Sequence, residues 1–282
     1  MRIPAILSAL ALAILPCAAN AGSVRIQASD ILANPLSGYF ASYAASKVEC
    51  TFEGSVNALS AMRDGHADLA IIAVPDGQKL PGDFECTPFA FDAAIVVVNE
   101  NNPLREINLR QLAQILARSG SLDKWGGLGL RDPWETRAIT VYLPDSSTGV
   151  TLQLLRSMTI MSGPMKDGIG TLASPEQTAQ IVRDQTSSMV VIRGLVAPLG
   201  GRALAVSLKD GADQYAYLPT QDSIFYGDYA LRLPFFIAVK KDAPKEVRDV
   251  VDALLTDATA DVLGAAGFIP VPKSERHSPG AK

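Results

Sequence analysis

The stretch Ile139 to Leu155, ITVYLPDSSTGVTLQLL, places a strand, a small polar turn and the start of a helix in immediate succession. The β-branched and aromatic residues at its start favour a short buried strand, and the leucines at its end have helical spacing. The first turn of such a helix leaves backbone N–H groups without partners and carries partial positive charge. The turn can therefore hold an anion or a polar ligand group, although Ser146 or Ser147 could simply cap the helix.

Length and composition describe an ordered globular protein with room for more than one core. The chain has 282 residues, of which 48% are hydrophobic and 19% are charged, and its formal net charge is −4. A chain of this size folds as one large domain or as two lobes. The mild negative charge argues against binding to nucleic acid or to an anionic membrane surface, so we expect neither partner.

The first 21 residues have the pattern of a cleavable secretion signal. Arg2 is the single charge in this segment, an apolar run follows over Ile3 to Leu15, and Ala19-Asn20-Ala21 matches an Ala-x-Ala cleavage site. The run is too short to span a bilayer. We therefore predict cleavage after Ala21 and a mature protein in the periplasm. A lipid anchor at Cys17 is the alternative, but the proline before it fits a lipobox poorly.

Two cysteines remain after this cleavage, and they allow either a disulfide or two buried thiols. Cys50 and Cys86 form an even pair in a compartment that favours oxidation, so we predict a disulfide between them. Closing the loop between them would stabilise the fold by roughly 3–4 kcal/mol in the chain-entropy model. The chain has only two histidines and no Cys-x-x-Cys spacing, so we predict neither a metal site nor a cofactor.

Alternating strands and helices predict a parallel sheet in the first third of the mature chain. A strand begins at Val24, a second covers Val48 to Phe52, and the near-continuous apolar run Ala67 to Val74 is typical of a strand covered on both faces. Helices between these strands make right-handed crossovers. Ligands of such sheets bind at the carboxyl ends of the strands.

Two long apolar strands, near residues 89–98 and 231–239, bracket the middle of the chain. We interpret them as crossings between two lobes with a ligand cleft at the hinge. Lobe 1 would comprise residues 22–97 and 236–271, and lobe 2 would comprise residues 98–235. A helix over Lys245 to Leu263 and a disordered tail over residues 272–282 complete the predicted chain.

Several short motifs follow one another in the order found in one protein family. They are a small-residue loop ending in Pro-Leu, a Gly-Ser helix start, an Asp-hydrophobic-Ala strand, a helix followed by Trp-x-x-Leu-Gly, a Tyr-x-Leu-Arg crossing and a terminal Ala-Gly-Phe-x-Pro. They lie at Ala28–Leu36, Gly54–Leu59, Asp68–Ala70, Ile107–Gly129, Tyr229–Phe236 and Ala265–Pro270. With these motifs the chain resembles the periplasmic phosphate-binding proteins of ABC transporters, which have the type 2 periplasmic-binding fold.

The resemblance implies an α/β protein of two lobes, each a mostly parallel sheet flanked by helices, with a cleft at the hinge. It also implies a monomer that binds a small molecule, delivers it to the membrane subunits of an ABC transporter and catalyses no reaction. The polar turns and the matching motifs together predict eleven ligand-binding residues: Ser29, Asp30, Gly54, Ser55, Asn57, Asp145, Ser146, Ser147, Thr148, Gly149 and Arg193.

The residues that hold phosphate in that family match poorly in this chain. Pro144 stands where the second-lobe loop of the family has a clamping arginine, and Ala73 stands where it has the aspartate after the third strand. Ile31 and Leu32 replace its Thr-Phe pair. Arg193, at the end of a buried strand, could enter the cleft and restore a cation, or it could be an exposed arginine at a strand end.

Asp30 has three interpretations, because the family places a small polar residue at its position. Its carboxylate could repel anions, bind a cationic group, or cap the helix that we expect to begin at Pro35. The fold resemblance is therefore stronger than the resemblance in phosphate ligands, and we predict weak binding of ordinary phosphate or a different ligand.

Two classes of function remain, and a third has little support. The first is a periplasmic solute-binding protein for a phosphate-like oxyanion or another small polar solute, which closes its lobes around the ligand. The second is an exported sensory or interaction module with the same fold, for which an apolar cleft edge at Ile31, Leu32 and Val150 would suit a protein partner. An exported hydrolase would need a Gly-x-Ser-x-Gly elbow and a histidine base, which the sequence does not supply.

Overall fold

The computed structural model describes residues 23–42, 48–145, 151–161, 163–195, 197–208 and 215–277, and these ranges form an α/β fold. The strands are β1 (Val24–Ala28), β2 (Val48–Phe52), β3 (Leu69–Ala73), β4 (Glu85–Asn99), β5 (Glu106–Asn108), β6 (Thr140–Pro144), β7 (Gly170–Leu172), β8 (Ser188–Arg193), β9 (Gly201–Ala203), β10 (Ala205–Ser207), β11 (Arg232–Val239) and β12 (Ile269–Pro270). The helices are α1 (Ala33–Ser42), α2 (Ser55–Arg63), α3 (Leu109–Leu116), α4 (Thr151–Ile160), α5 (Pro175–Asp184), α6 (Gln221–Tyr226), α7 (Lys245–Leu254) and α8 (Asp257–Ala265). Within the described ranges no helix is both long and apolar enough to cross a membrane.

The first half of the main sheet contains the N-terminal strands. β2, β1 and β3 lie side by side in parallel, and β11 and the first part of β4 continue the sheet in antiparallel orientation. Leu69 and Ile71 pack with one buried cluster that includes residues of α1, α7 and α8, while Ala70 and Ile72 pack with a second cluster under α2. β3 is thus covered on both faces, which confirms the prediction from its apolar run.

The second half of the sheet contains the strands from the middle of the chain. β8, β6 and β7 lie side by side in parallel. The last part of β4 pairs with β8 in antiparallel orientation, and β9 pairs antiparallel with the same part of β4. One large buried cluster joins this half to α3, α4 and α5, with Trp125 among its fully buried members. β5 and β10 form a separate two-stranded parallel sheet.

β4 belongs to both halves of the sheet. Its residues up to Ala93 pair with β11, and its residues from Ala94 onward pair with β8. The chain returns from the second half of the sheet to the first just before β11. At this point the Leu231 carbonyl accepts a hydrogen bond of 3.0 Å from the Ala94 N–H. The crossing predicted near residues 89–98 is therefore inside a single strand, whereas β11 itself pairs within the first half. The exact lobe boundaries stay a prediction.

The predicted disulfide is wrong. Both Cys50 and Cys86 are free thiols. Cys50 is in β2 and Cys86 is in β4, and β1, β3 and β11 separate these two strands in the sheet. Four strand spacings amount to about 19 Å, whereas a disulfide needs Cα atoms roughly 4.4–6.8 Å apart. Burial also raises the pKa of the Cys50 thiol to about 12, which keeps it protonated.

Two further differences concern helix and chain ends. The long helix expected from Lys245 is divided: α7 ends at Leu254, and Thr256 caps α8 by accepting a hydrogen bond from the Thr259 N–H. Residues 272–277, expected to be part of a disordered tail, contain a short 3₁₀ turn, and its Lys273 pairs with Asp257. At the other end, α1 begins at Ala33 rather than at Pro35.

Candidate functional site

Each half of the sheet has a set of parallel strands, and the carboxyl ends of both sets lie near the point at which β4 passes from one half to the other. In the first half these ends are followed by Ser29, Gly54 and Val74, after β1, β2 and β3. In the second half β6 and β8 end at Pro144 and Arg193. Ligands of open α/β sheets bind at the carboxyl ends of strands, so Ser29, Gly54 and Arg193 lie at the edge where a ligand is expected.

Ser29 is the most enclosed of the predicted ligand residues that the structure describes. Its side chain is 1% exposed, and its backbone N–H donates to the Ile71 carbonyl at 2.7 Å. Its hydroxyl has no hydrogen-bond partner in the part of the chain that the structure describes. A buried hydroxyl without a partner costs free energy, and a ligand oxygen at this place would supply the missing hydrogen bond.

The start of α2 joins β2 to the end of β3. Gly54 precedes the helix with a φ of 92°, a conformation that favours glycine. The Ser55 hydroxyl accepts a hydrogen bond of 2.9 Å from the Ala73 N–H. Asn57 is exposed and donates its amide to the Glu53 carbonyl at 2.9 Å. Ser55 therefore fixes the helix N-terminus at the sheet edge, while Asn57 stabilises the turn that leads into the helix.

Asp30 is exposed beside the same helix N-terminus. Its Oδ1 lies 3.9 Å from the position that a Cβ on Gly54 would occupy. A carboxylate there faces the positive end of the α2 dipole and opposes the approach of a second anion from that side. This placement fits two of its three interpretations, repulsion of anions or attraction of a cationic group.

The turn that follows β6 is only partly described. Asp145 is half-buried directly after the strand. Ser146, Ser147, Thr148 and Gly149 lie outside the described residues, so their predicted role stays a prediction. The chain is described again from Thr151, the first residue of α4.

Arg193 is not the exposed arginine that one interpretation expected. Its side chain is only 19% exposed, and its partner Asp92 is fully buried. Nε of Arg193 lies 3.0 Å from Oδ1 of Asp92, and Nη2 lies 3.3 Å from Oδ2. This two-point contact holds the guanidinium at the carboxyl end of β8, beside the point at which β4 crosses between the sheet halves.

Asp92 is the central residue of this cluster, and the sequence interpretation missed it. Its Oδ1 also accepts hydrogen bonds from the Ala93 N–H at 2.9 Å and from the Thr151 hydroxyl at 3.3 Å. Burial raises the pKa of the Asp92 carboxyl above its ordinary value, and the charge of Arg193 opposes this rise. A single acidic residue inside the apolar run of residues 89–98 was the signal that could have identified it.

Arg193 also contacts a residue from the C-terminal part of the chain, Phe268. Its guanidinium lies over the Phe268 ring, 3.9 Å from the centroid. Gly267 approaches the same side chain, because a Cβ at that position would lie 3.1 Å from Cδ of Arg193. Arg193 therefore contacts groups from both halves of the sheet, since β12 follows Phe268 and pairs with the first half of β4.

A second arginine–aspartate pair flanks the crossing. Nε and Nη2 of Arg232 each lie 2.7 Å from an oxygen of Asp76, which follows β3. Arg232 also donates to the carbonyls of Ile224 and Phe225, at the end of α6. Arg232 belongs to the Tyr-x-Leu-Arg motif, but the sequence did not indicate its partner.

Comparison with known proteins finds a family that matches most of the chain. A family model described as a PBP superfamily domain matches residues 18–258. Protein SphX of Synechococcus elongatus is 27% identical over 198 residues, which are 66% of this chain and 55% of that protein. Phosphate-binding protein PstS of Pseudomonas aeruginosa is 23% identical over 276 residues, which are 89% of this chain and 84% of that protein.

A solved structure supports the same fold. The crystal structure of a possible phosphate binding protein from Planctomyces limnophilus superposes with a TM-score of 0.69 at 17% sequence identity. The match covers 91% of this chain and 95% of that chain. The two-lobe α/β fold expected from the motifs is therefore confirmed.

Proposed function

The chain belongs to the PBP superfamily, and from this premise we propose that it is an exported solute-binding protein for a phosphate-like oxyanion or another small polar solute. It binds the solute between two lobes and delivers it to the membrane subunits of an ABC-type uptake system. The names of its relatives, a PstS and a possible phosphate binding protein among them, support this role. It acts in the periplasm as a monomer after cleavage at Ala21, and it catalyses no reaction.

The arrangement of Arg193 is the observation that carries the proposal. The arginine of the family loop is absent because Pro144 stands there, but Arg193 brings a guanidinium to the end of the neighbouring strand. Asp92 fixes its orientation through two contacts, so the cation needs little reorganisation to receive a ligand oxygen. The first half of the sheet contributes the Ser29 hydroxyl, which lacks a partner among the described residues.

Charge balance favours weak binding of inorganic phosphate. Asp92 neutralises the charge of Arg193, and Asp30 adds a negative charge near the N-terminus of α2. A doubly charged oxyanion therefore meets less net positive charge than a single unpaired arginine would supply. Ala73 also leaves no carboxylate at the place where the family has one after the third strand.

Closure would use the two chain crossings as a hinge. We propose that the lobes predicted from the sequence, residues 22–97 with 236–271 and residues 98–235, meet within a few residues of these crossings. β4 crosses between Ala93 and Ala94, and the return crossing lies next to it, where Leu231 binds Ala94. Adjacent crossings allow one lobe to rotate against the other with changes at few backbone positions.

The test is a thermal-shift screen of the purified protein with phosphate, sulfate, phosphonates, molybdate, amino acids and small sugars. Ligand at 100 times its dissociation constant stabilises the folded state by about 2.7 kcal/mol, which raises Tm by roughly 5 °C or more for a chain of this size. Arg193→Ala should abolish the shift produced by an oxyanion. Arg193→Lys keeps the charge without the fork and should retain part of it.

Arg183→Ala is the matched control, because Arg183 is exposed on α5 and pairs with its neighbour Asp184. It should leave the ligand-induced shift unchanged. No shift with any of these ligands would contradict the solute-binding proposal and would favour the exported interaction module. A shift that Arg193→Ala leaves intact would show that the solute binds elsewhere.

A further inference from the structure

We infer that the solute is an organic oxyanion with an apolar substituent, such as an aryl phosphonate, and that the substituent occupies a pocket beside α5. This inference rests on the proposed function and specifies the class of its ligand. It comes from the shape and chemistry of a pocket that adjoins Arg193 and that an inorganic oxyanion would leave mostly unused.

The pocket lies at the carboxyl ends of the parallel strands in the second half of the sheet. It has a volume of about 480 Å³. Pro144, Leu172 and Arg193, the last residues of β6, β7 and β8, contribute to its lining. The first turns of α5 and the segment Ala197–Leu199 contribute the rest of the lining. This is the edge at which open α/β sheets bind their ligands.

The walls of the pocket are mostly apolar. The residues that contribute apolar surface include Ala173, Pro175, Ala179, Val191, Ala197 and Leu199. The Leu199 side chain is 81% exposed. An apolar group that covered this leucine and filled the pocket would remove apolar surface from water, which stabilises the bound state.

The polar side chains of the pocket are already engaged within the protein. The Ser174 hydroxyl accepts the Gln177 N–H at 3.2 Å and caps α5. The Thr178 hydroxyl donates to the Ser174 carbonyl at 2.9 Å. Among the lining residues that the structure describes, Arg193 alone carries a charge. An acid group would therefore lie at the Arg193 end, and the remaining wall offers contacts suited to an apolar group.

Size separates the two kinds of ligand. A volume of about 480 Å³ falls within the range of roughly 300–1,000 Å³ that is typical of pockets for organic molecules. Inorganic phosphate has only five heavy atoms, so it would leave most of this volume to water in contact with apolar walls. An aryl or short alkyl group would replace that water.

The orientation of the ligand follows from the setting of Arg193. Asp92 and the Phe268 ring hold the Arg193 guanidinium in place at the end of β8. The segment Ala197–Leu199 contributes uncharged, apolar residues to the same pocket. We therefore place the acid group next to Arg193 and the apolar substituent between α5 and the segment Ala197–Leu199.

Calorimetric titration of the purified protein with inorganic phosphate, methylphosphonate and phenylphosphonate tests this inference. The two phosphonates carry the same acid group and differ in the apolar substituent. Burial of the ring should make phenylphosphonate bind roughly tenfold or more tighter than methylphosphonate. Equal affinities for the two phosphonates would overturn the inference and leave the proposed function standing. Absence of binding by all three would instead contradict the proposed function for oxyanions.

Substitutions that fill the pocket provide the second measurement. Ala179→Phe on α5 and Ala197→Phe in the segment Ala197–Leu199 each place a ring in the pocket from a different segment of the chain. Each should remove the preference for phenylphosphonate while methylphosphonate binding persists. Gln180→Phe is the matched control, because it adds the same ring at an exposed position of α5 outside the pocket. Two filled variants that keep the preference would overturn the assignment of the substituent to this pocket.

Discussion

Two arginine–aspartate pairs lie beside the crossing in β4, and they differ in the burial of the carboxylate. In the Arg193–Asp92 pair the aspartate is fully buried, whereas in the Arg232–Asp76 pair the aspartate is 42% exposed. The N–O contacts of the exposed pair, 2.7 Å each, are even shorter than those of the buried pair. Contact distance therefore does not rank these pairs by energetic importance.

The two pairs should differ in how much stability is lost when the arginine is removed, because water can reach only one of the two aspartates. Asp76 can be hydrated if Arg232 is removed, because its side chain already meets solvent. Asp92 cannot be hydrated in the same way if Arg193 is removed, because its side chain is fully buried. This burial already raises the pKa of the Asp92 carboxyl. The buried pair is therefore suited to hold a cation in one orientation at a ligand site.

The largest expected effect follows removal of the buried cation. Arg193→Met keeps an unbranched stem against Phe268 but leaves the Asp92 carboxylate without its counter-charge. We expect the free energy of unfolding to fall by about 3–5 kcal/mol, measured by urea denaturation. The matched variant Arg232→Met should cost about 1–2 kcal/mol, mainly through lost hydrogen bonds. Equal losses in the two variants would show that burial of the aspartate does not decide the outcome.

A smaller effect is expected from changing only the ionisation of the buried carboxyl. The pKa of Asp92 is raised in the folded protein. At pH values between the ordinary aspartate pKa and this raised pKa, Asp92 binds fewer protons in the unfolded chain than in the folded protein. The free energy of unfolding contributed by Asp92 therefore falls as the pH rises through its folded pKa. Asp92→Asn lacks this contribution, so its stability relative to the wild type should rise over the same pH window.

Urea denaturation of both proteins at several pH values between about 4 and 7 measures this difference. The comparison within one protein pair cancels the titration of all other groups. A stability difference that stays constant with pH would mean that Asp92 titrates alike in the folded and unfolded states. In that case burial of Asp92 would have no effect on the pH dependence of stability, and the buried pair would not differ from the exposed pair in this respect.

The smallest effects extend the comparison to uncharged groups at the same sheet edge. Ser55→Ala removes the acceptor of the Ala73 N–H and should lower the free energy of unfolding by about 1 kcal/mol. Ser29→Ala removes a buried hydroxyl that has no partner among the described residues, so stability should stay within about 0.5 kcal/mol of the wild type. Oxyanion affinity should nevertheless fall in Ser29→Ala. Unchanged affinity in calorimetry would remove Ser29 from the ligand site.

Much of the fold was predictable because its signals are local. The apolar run at β3 indicated a strand covered on both faces, and the order of motifs indicated the two-lobe α/β fold. The cap of α5 is an equally local signal, since Ser174 accepts a hydrogen bond from a residue only three positions away. The start of α8 after Thr256 was missed, because a single helix was expected there. Hydrophobic periodicity and capping both depend on neighbours in sequence.

The errors arose where the outcome depended on strand order. Cys50 and Cys86 looked like a natural disulfide pair, but three strands separate them in the sheet. Arg193 had two interpretations, a cation in the cleft or an exposed strand end, and its aspartate, which a strand about a hundred positions earlier supplies, was not identified from the sequence. The polar turn at Ser146–Gly149, which seemed the most promising ligand loop, lies outside the described residues and stays a prediction.

The amino-acid sequence was enough to predict the fold class and to match the PBP superfamily, and the family resemblance predicted that Pro144 and Ala73 stand where two phosphate ligands would be. Only the tertiary structure decided that Arg193 is held by Asp92, that the cysteines are apart, and that an apolar pocket adjoins the cation. The physical reason is that residue type and periodicity act over a few positions, whereas charge pairing, thiol distance and cavity shape depend on which strands become neighbours.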